Sequence, residues 1–103
     1  MTKYHAHKCE IDGIIFDSTA EARYYQGLKL LLGNGDISDL EIHPKFPVVV
    51  NGKKICDYYA DFRYSENGVV VIDDVKGVRT PVYKLKKKLV EALYRITIRE
   101  IEV

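Results

Sequence analysis

Residues Val69 to Gly77 read VVVIDDVKG. Four consecutive apolar β-formers leading into two aspartates predict a buried strand. Side chains two apart along a strand share a face, so Asp74 and Lys76 are expected side by side and Asp73 on the opposite face. An acid and an amine at the end of a buried strand are costly unless they are paired, hydrogen-bonded or bound to something. Taken alone, the stretch is consistent with a satisfied ion pair as well as with a working one.

Immediately upstream, Asn51-Gly52 predicts a tight turn between a strand at Val48 to Val50 and a long second strand from Lys54 to Tyr64. The second strand contains ICDYYADFRY, in which Asp61 lies between Ala60 and Phe62 among aromatic β-formers, a poor place for an unpaired acid. A turn at Ser65 to Gly68 then carries the chain into the Val69 strand and brings Asp61 near Asp74. Residues Asp36 to Lys45, ending in Pro44, read as a connector.

Further back, Ser18 with Glu21 forms a capping-box pattern that starts a helix running to about Leu32, and Gly33-Asn34-Gly35 ends it. Ala20, Tyr24, Tyr25, Leu28, Leu31 and Leu32 form its apolar stripe, and Glu21 falls inside that stripe. The capping box accounts for Glu21, and so does a carboxylate aimed at the sheet; both can hold at once. Asp12-Gly13 marks a hairpin over residues 9–16, preceded by a basic arm over residues 1–8. His5, His7 and Cys9 alternate as HxHxC, but a zinc site would need a fourth ligand, which is lacking nearby.

Downstream, Thr80-Pro81 caps a second helix whose apolar stripe is expected at Val82, Leu85, Leu89, Ala92 and Leu93, with Lys84, Lys87, Lys88 and Glu91 facing away. Residues Ile96 to Val103 read as a closing strand. The order hairpin, helix, three strands, helix, strand predicts an α/β chain of α+β type, a mixed sheet with helices packed on it.

The 103 residues bound a single domain over residues 1–103, large enough for a core, and 47% hydrophobic with 30% charged residues excludes a disordered chain. No apolar run approaches the roughly 20 residues of a membrane span, and the N-terminus lacks the apolar stretch of a signal peptide. A cytoplasmic protein without a membrane partner is the expectation, with Cys9 and Cys56 as free thiols. The formal net charge is only +1, yet Val75 to Val90 carries six cations and no acid. Such a face suits phosphate contact, and equally a solvated lysine-rich helix.

Glu21, Asp61, Asp74 and Lys76 together suggest chemistry. Three carboxylates converging on a sheet end repel one another, and an oxygen-seeking divalent cation relieves that. Mg²⁺ fits the ligand set better than zinc, and a lysine beside it can orient water or stabilise charge on phosphorus.

Asp61, a spacer with one turn, and Asp74-Val75-Lys76 resemble the PD-(D/E)XK nuclease signature, and the predicted order resembles that superfamily's restriction-endonuclease-like αβββαβ core, here with an N-terminal β-hairpin. More narrowly, KYHAHKCEIDGIIFDSTAEARYY, ADFRY and VVVIDDVKG followed by TPVYKLKKKL resemble short, mostly bacteriophage proteins assigned to this nuclease group, and the likeness spans nearly the whole chain. The resemblance implies a Mg²⁺-dependent endonuclease, with Mn²⁺ as substitute. Asp61, Asp74 and the main-chain carbonyl of Val75 would bind the metal, Glu21 would support it, and Lys76 would be the catalytic lysine. It departs from the pattern at Ala60, where the motif has proline, and at Asp74, a shorter arm than glutamate. The resemblance further implies Holliday-junction-like branched DNA as substrate, a homodimer, no small-molecule cofactor and, for a phage protein, the host cytoplasm as its place. Arg79, Thr80, Tyr83, Lys84, Lys87 and Lys88 are the expected DNA contacts. Other DNA substrates, a non-catalytic DNA-binding module and a structural phage protein are the alternatives.

Overall fold

The computed structural model describes residues 7–77 and 79–102. Most of the expected basic arm, and His5 of the HxHxC pattern, lie outside them. In chain order the elements are β1 (Cys9–Ile11), β2 (Ile14–Phe16), α1 (Thr19–Gly33), β3 (Ser38–Ile42), β4 (Lys45–Val50), β5 (Lys53–Tyr59), β6 (Phe62–Glu66), β7 (Val69–Lys76), α2 (Pro81–Tyr94) and β8 (Ile98–Glu102). This is a mixed α+β fold: a four-stranded sheet of order β3-β6-β7-β8, two two-stranded ribbons, β1-β2 and β4-β5, and two helices. In the main sheet β3, β6 and β7 run antiparallel in turn, while β8 lies parallel to β7. The parallel pair requires a crossover, and α2 supplies it. No described helix is long and apolar enough to cross a membrane, and both cysteines are free.

The expected turns form where Asn-Gly or Asp-Gly pairs occur, because both central residues must take positive φ. Asn51 (50°) with Gly52 (79°) and Asn67 (53°) with Gly68 (77°) do so. What the sequence reading joined into one strand from Lys54 to Tyr64 is two, β5 and β6, belonging to different sheets. The chain breaks at Ala60-Asp61, and β3 breaks from β4 at His43-Pro44 on the facing side. Ile42 pairs with Phe62 before the break and Lys45 with Tyr59 after it. One antiparallel ribbon therefore kinks sharply between the main sheet and the β4-β5 arm. At the kink the His43 N–H donates to the Asp61 carbonyl at 2.9 Å, and the Ala60 N–H donates to the Pro44 carbonyl at 3.1 Å. The stretch read as a connector, residues 36–45, thus contains the sheet strand β3. Its short, charged sequence carries little apolar alternation, since β3 is an edge strand.

Cores lie on both faces of the main sheet. Under α1 pack Phe16, Ala22, Tyr25, Leu28, Ile37, Phe62 and Tyr64. On the α2 side pack Phe46, Val48, Tyr58, Ala60, Ile72, Val90 and Ile98. Three further expectations need correction. Val69 and Val70 are exposed, 62% and 60%, because burial in β7 sets in only where both helices cover it. Leu31 of the α1 stripe is exposed at its last turn. In α2 most of the expected stripe points outward: Val82, Leu85, Ala92 and Leu93 are exposed, Leu89 packs half-buried against the core as expected, and Val90 alone is fully buried. Polar anchors set this rotation. Tyr83 donates to Glu100 at 2.7 Å, Tyr94 to the Pro47 carbonyl at 2.8 Å, and the Ile98 N–H to Glu91 at 2.8 Å. Those three hydrogen bonds fix the face carrying Tyr83, Val90 and Tyr94 against the strands.

Candidate active site

Asp73 and Asp74 point to opposite faces of β7, as strand alternation requires. Asp74 and Lys76 share the α2 face, with Lys76 Nζ 3.7 Å from Asp74 Oδ2. Asp74 is 1% exposed. Its Oδ1 accepts from the Asp61 N–H at 3.0 Å, and its Oδ2 accepts from the Tyr58 hydroxyl. The Asp61 carboxylate reaches across in return: its Oδ2 accepts from the Val75 N–H at 2.6 Å. Asp61, Asp74, Val75 and Lys76 are thereby locked at one end of the main sheet.

Glu21 arrives from the other face. Ser18 caps α1 by accepting from the Glu21 N–H at 3.1 Å, which is half of the capping box. The other half is missing, because the Glu21 side chain turns into the sheet end and lies 3.2 Å from His43 Nε2. Both readings of Glu21 hold in part: its backbone is capped and its buried carboxylate belongs to the cluster. Ligand atoms of Glu21, His43 and Asp61 all lie within 4.8 Å of one another. Asp74 stands beside this trio, not within it.

The electrostatics are those of too many acids for their cations. Burial first, then the charge of Asp61, pushes the Glu21 carboxyl up to about 8. Burial likewise raises Asp61. It pushes Asp74 up to about 6 despite the opposing pull of Lys76. Glu21 is thereby pushed far enough to hold a proton at neutral pH, and a cation bound among the carboxyls would displace it. Carboxylate oxygens and a main-chain carbonyl are the donors hard divalent cations take, so the residues present fit Mg²⁺ or Mn²⁺.

Lys76 is held as closely as the acids. Its side chain is only 15% exposed, and its Nζ lies 3.9 Å from the centroid of the Tyr83 ring. The Tyr83 hydroxyl is tied to Glu100, whose other oxygen accepts from Arg79 Nε at 3.0 Å; Arg79 also pairs with Glu102. Of the residues expected to meet DNA, then, Tyr83 and Arg79 face inward to the lysine and to β8. Thr80 accepts from the Tyr83 N–H at 3.1 Å as the cap of α2. Lys87 pairs with Glu91 at 3.3 Å and is half-buried. Lys84 and Lys88 are exposed.

Sequence reasoning missed His43, which sat in a supposed connector. Counting back from the Asn51-Gly52 turn in unbroken register would set Ile42 opposite Asp61; the bulge between Val48 and Val49 shifts the pairing by one residue and brings His43 there instead.

No curated protein matches the chain. The family described as "Protein of unknown function (DUF1064)" matches over residues 1–101, and the chain belongs to that family.

Proposed function

We propose that the protein is a divalent-metal-dependent DNA endonuclease of the PD-(D/E)XK type, acting on branched DNA such as four-way junctions. The observation that carries this reading is the interlock of Asp61 with Asp74-Val75-Lys76, in which each acid's carboxylate accepts from the other segment's backbone at 3.0 and 2.6 Å. Supporting it, the path α1, β3, β6, β7, α2, β8, with antiparallel pairs followed by a parallel one, has the αβββαβ order of the restriction-endonuclease-like core. The β4-β5 arm is then an insertion in that core.

Asp61, Glu21, Asp74 and the Val75 carbonyl would hold Mg²⁺ or Mn²⁺. The cation, when bound, supplies Lewis-acid stabilisation of charge on a phosphate oxygen. Lys76, fixed between Asp74 and the Tyr83 ring, presents its ammonium where negative charge develops on the phosphate and can orient a water toward it. Burial makes that ammonium worth more than it would be in water. Asp74 positions the lysine and the Asp61 amide together. Lys84 and Lys88 offer phosphate contacts that steer without reading bases. A homodimer would have an apolar surface to use on α2, where Val82 and Leu85 are exposed.

The test is incubation of the purified chain with a synthetic four-way junction, matched duplex and single strand, in Mg²⁺, Mn²⁺ or EDTA, with Asp74→Asn alongside. Paired, metal-dependent nicks at the junction that vanish in the variant are the expected result. Cleavage of all three DNAs would retain the nuclease and remove the junction preference. Binding without cleavage in either metal would replace the enzyme with a DNA-binding module.

A further inference from the structure

We infer that His43 is itself a ligand of the divalent cation, making the centre a mixed nitrogen–oxygen site that prefers Mn²⁺ to Mg²⁺. The inference rests on the proposed metal centre and names the cation class that the centre takes. Glu21, His43 and Asp61 form the group whose ligand atoms converge within 4.8 Å. Asp74 stands beside this group, where its oxygens also accept from the Asp61 N–H and the Tyr58 hydroxyl and face Lys76.

The imidazole is held in place by the backbone. His43 has φ 53°, in the left-handed region that few non-glycine residues adopt and that histidine tolerates better than most. Its N–H is bound to the Asp61 carbonyl, so ligand and ligand are tied through the main chain. Pro44 follows and restricts the conformations open to His43. The ring packs 5.9 Å from that of Phe16. One imidazole thus faces two carboxylates at the kink of the ribbon. His43 Nε2 lies beside Glu21 Oε1, while Asp61 Oδ2 is occupied by the Val75 N–H and its other oxygen is open to a cation. A cation between the three satisfies all of them. The His43 side chain is 37% exposed against 8% for Glu21, which leaves a way in from solvent.

Imidazole nitrogen suits first-row transition metals, Zn²⁺, Fe²⁺ and Ni²⁺ above Mn²⁺, whereas Mg²⁺ holds to oxygen and dehydrates reluctantly, so of the two nuclease cations Mn²⁺ is the one that gains from His43. Removing the ring should therefore weaken Mn²⁺ far more than Mg²⁺.

The experiment uses the full chain carrying His5→Ala and His7→Ala, so that His43 is the one histidine left of three, with MnCl₂ and MgCl₂ as probes. Pulsed EPR of the Mn²⁺-loaded protein should show hyperfine coupling to an imidazole ¹⁴N. Titration should give Mn²⁺ binding about tenfold tighter than Mg²⁺. His43→Gln should lose the ¹⁴N coupling and about tenfold or more of the Mn²⁺ affinity, with Mg²⁺ affinity changed much less. Bound Mn²⁺ without nitrogen coupling overturns the inference, and so does a His43→Gln protein of unchanged Mn²⁺ affinity. The EPR arm needs no variant at position 43, so it decides even if His43→Gln fails to fold. Nitrogen-coupled Mn²⁺ in a protein that cuts no DNA would keep His43 as a ligand and remove the nuclease reading.

Discussion

Asp73 and Asp74 adjoin in β7 and are buried alike, 0% and 1% exposed, but they face different layers. On the α1 side, Asp73 meets Arg99 through two contacts, at 2.8 and 3.0 Å, and accepts from the hydroxyls of Tyr24 and Tyr64 at 2.6 Å each. Arg99 in turn donates to Tyr64 at 2.7 Å. That acid has its counter-charge and a full set of donors, and it serves the fold. Asp74 shares its end of the sheet with Asp61 and Glu21, and the neighbouring cation is Lys76, 3.7 Å away. A buried acid is informative through what balances it, since complete pairing indicates structure and an excess of acid over cation indicates a ligand to come.

The comparison can be broken most decisively at Lys76. Lys76→Ala should lower the cleavage rate by about 10²–10⁴-fold while leaving junction binding nearly intact, measured by single-turnover cleavage beside a binding titration. Equal loss of both would make the lysine a mere DNA contact. On the other face, Arg99→Leu should reduce the unfolding free energy by about 3 kcal/mol in urea, because Asp73 would stay buried without a counter-charge. Asp74→Asn should cost less than about 1 kcal/mol in metal-free buffer, since the amide keeps an oxygen for the Asp61 N–H and relieves repulsion. Arg99→Leu and Asp74→Asn proteins of equal stability would erase the distinction between the two faces.

Metal addition sharpens the same contrast. Mn²⁺ at a hundred times its dissociation constant should stabilise the folded chain by about 2.7 kcal/mol. Asp61→Asn should abolish most of that gain, read as a shift in melting temperature with and without EDTA, whereas Arg99→Leu should melt lower but gain as much from the cation. The smallest expected effect is at Tyr83. Tyr83→Phe keeps the ring under Lys76 and should retain most activity. Tyr83→Leu should slow cleavage about fivefold, the equivalent of about 1 kcal/mol of cation–π contact. Identical rates for Phe and Leu would show that the ring does nothing for the lysine.

Much of this site was legible in the chain. The alternation of β7 put Asp74 and Lys76 on one face and Asp73 on the other. The helical period set Glu21 on the packed side of α1, and the turn at Asn67-Gly68 brought Asp61 toward Asp74. His43 was not legible, because its partner Asp61 lies across a ribbon whose first half, SDLEI, has the charged pattern of an edge strand. Nor was the rotation of α2. Its apolar periodicity pointed to Val82, Leu85 and Leu93, and the hydrogen bonds of Tyr83, Glu91 and Tyr94 turned the helix otherwise.

The sequence by itself determined the features that depend on neighbours within a few residues: the positive-φ turns, the Ser18 and Thr80 caps, the two-residue period of β7 and the placement of acids upon it. Such features follow from steric and hydrogen-bonding rules that act within a turn of helix or a pair of strand residues. The tertiary structure alone decided that the ribbon kinks at His43-Pro44 and Ala60-Asp61, that β5 and β6 part into different sheets, and that α2 docks through its polar anchors. Each of those is a choice among alternatives of similar local energy, settled by contacts between segments far apart in the chain. The balance of charge around each buried acid belongs to that second kind, because it depends on which distant cation or donor the packing brings within reach.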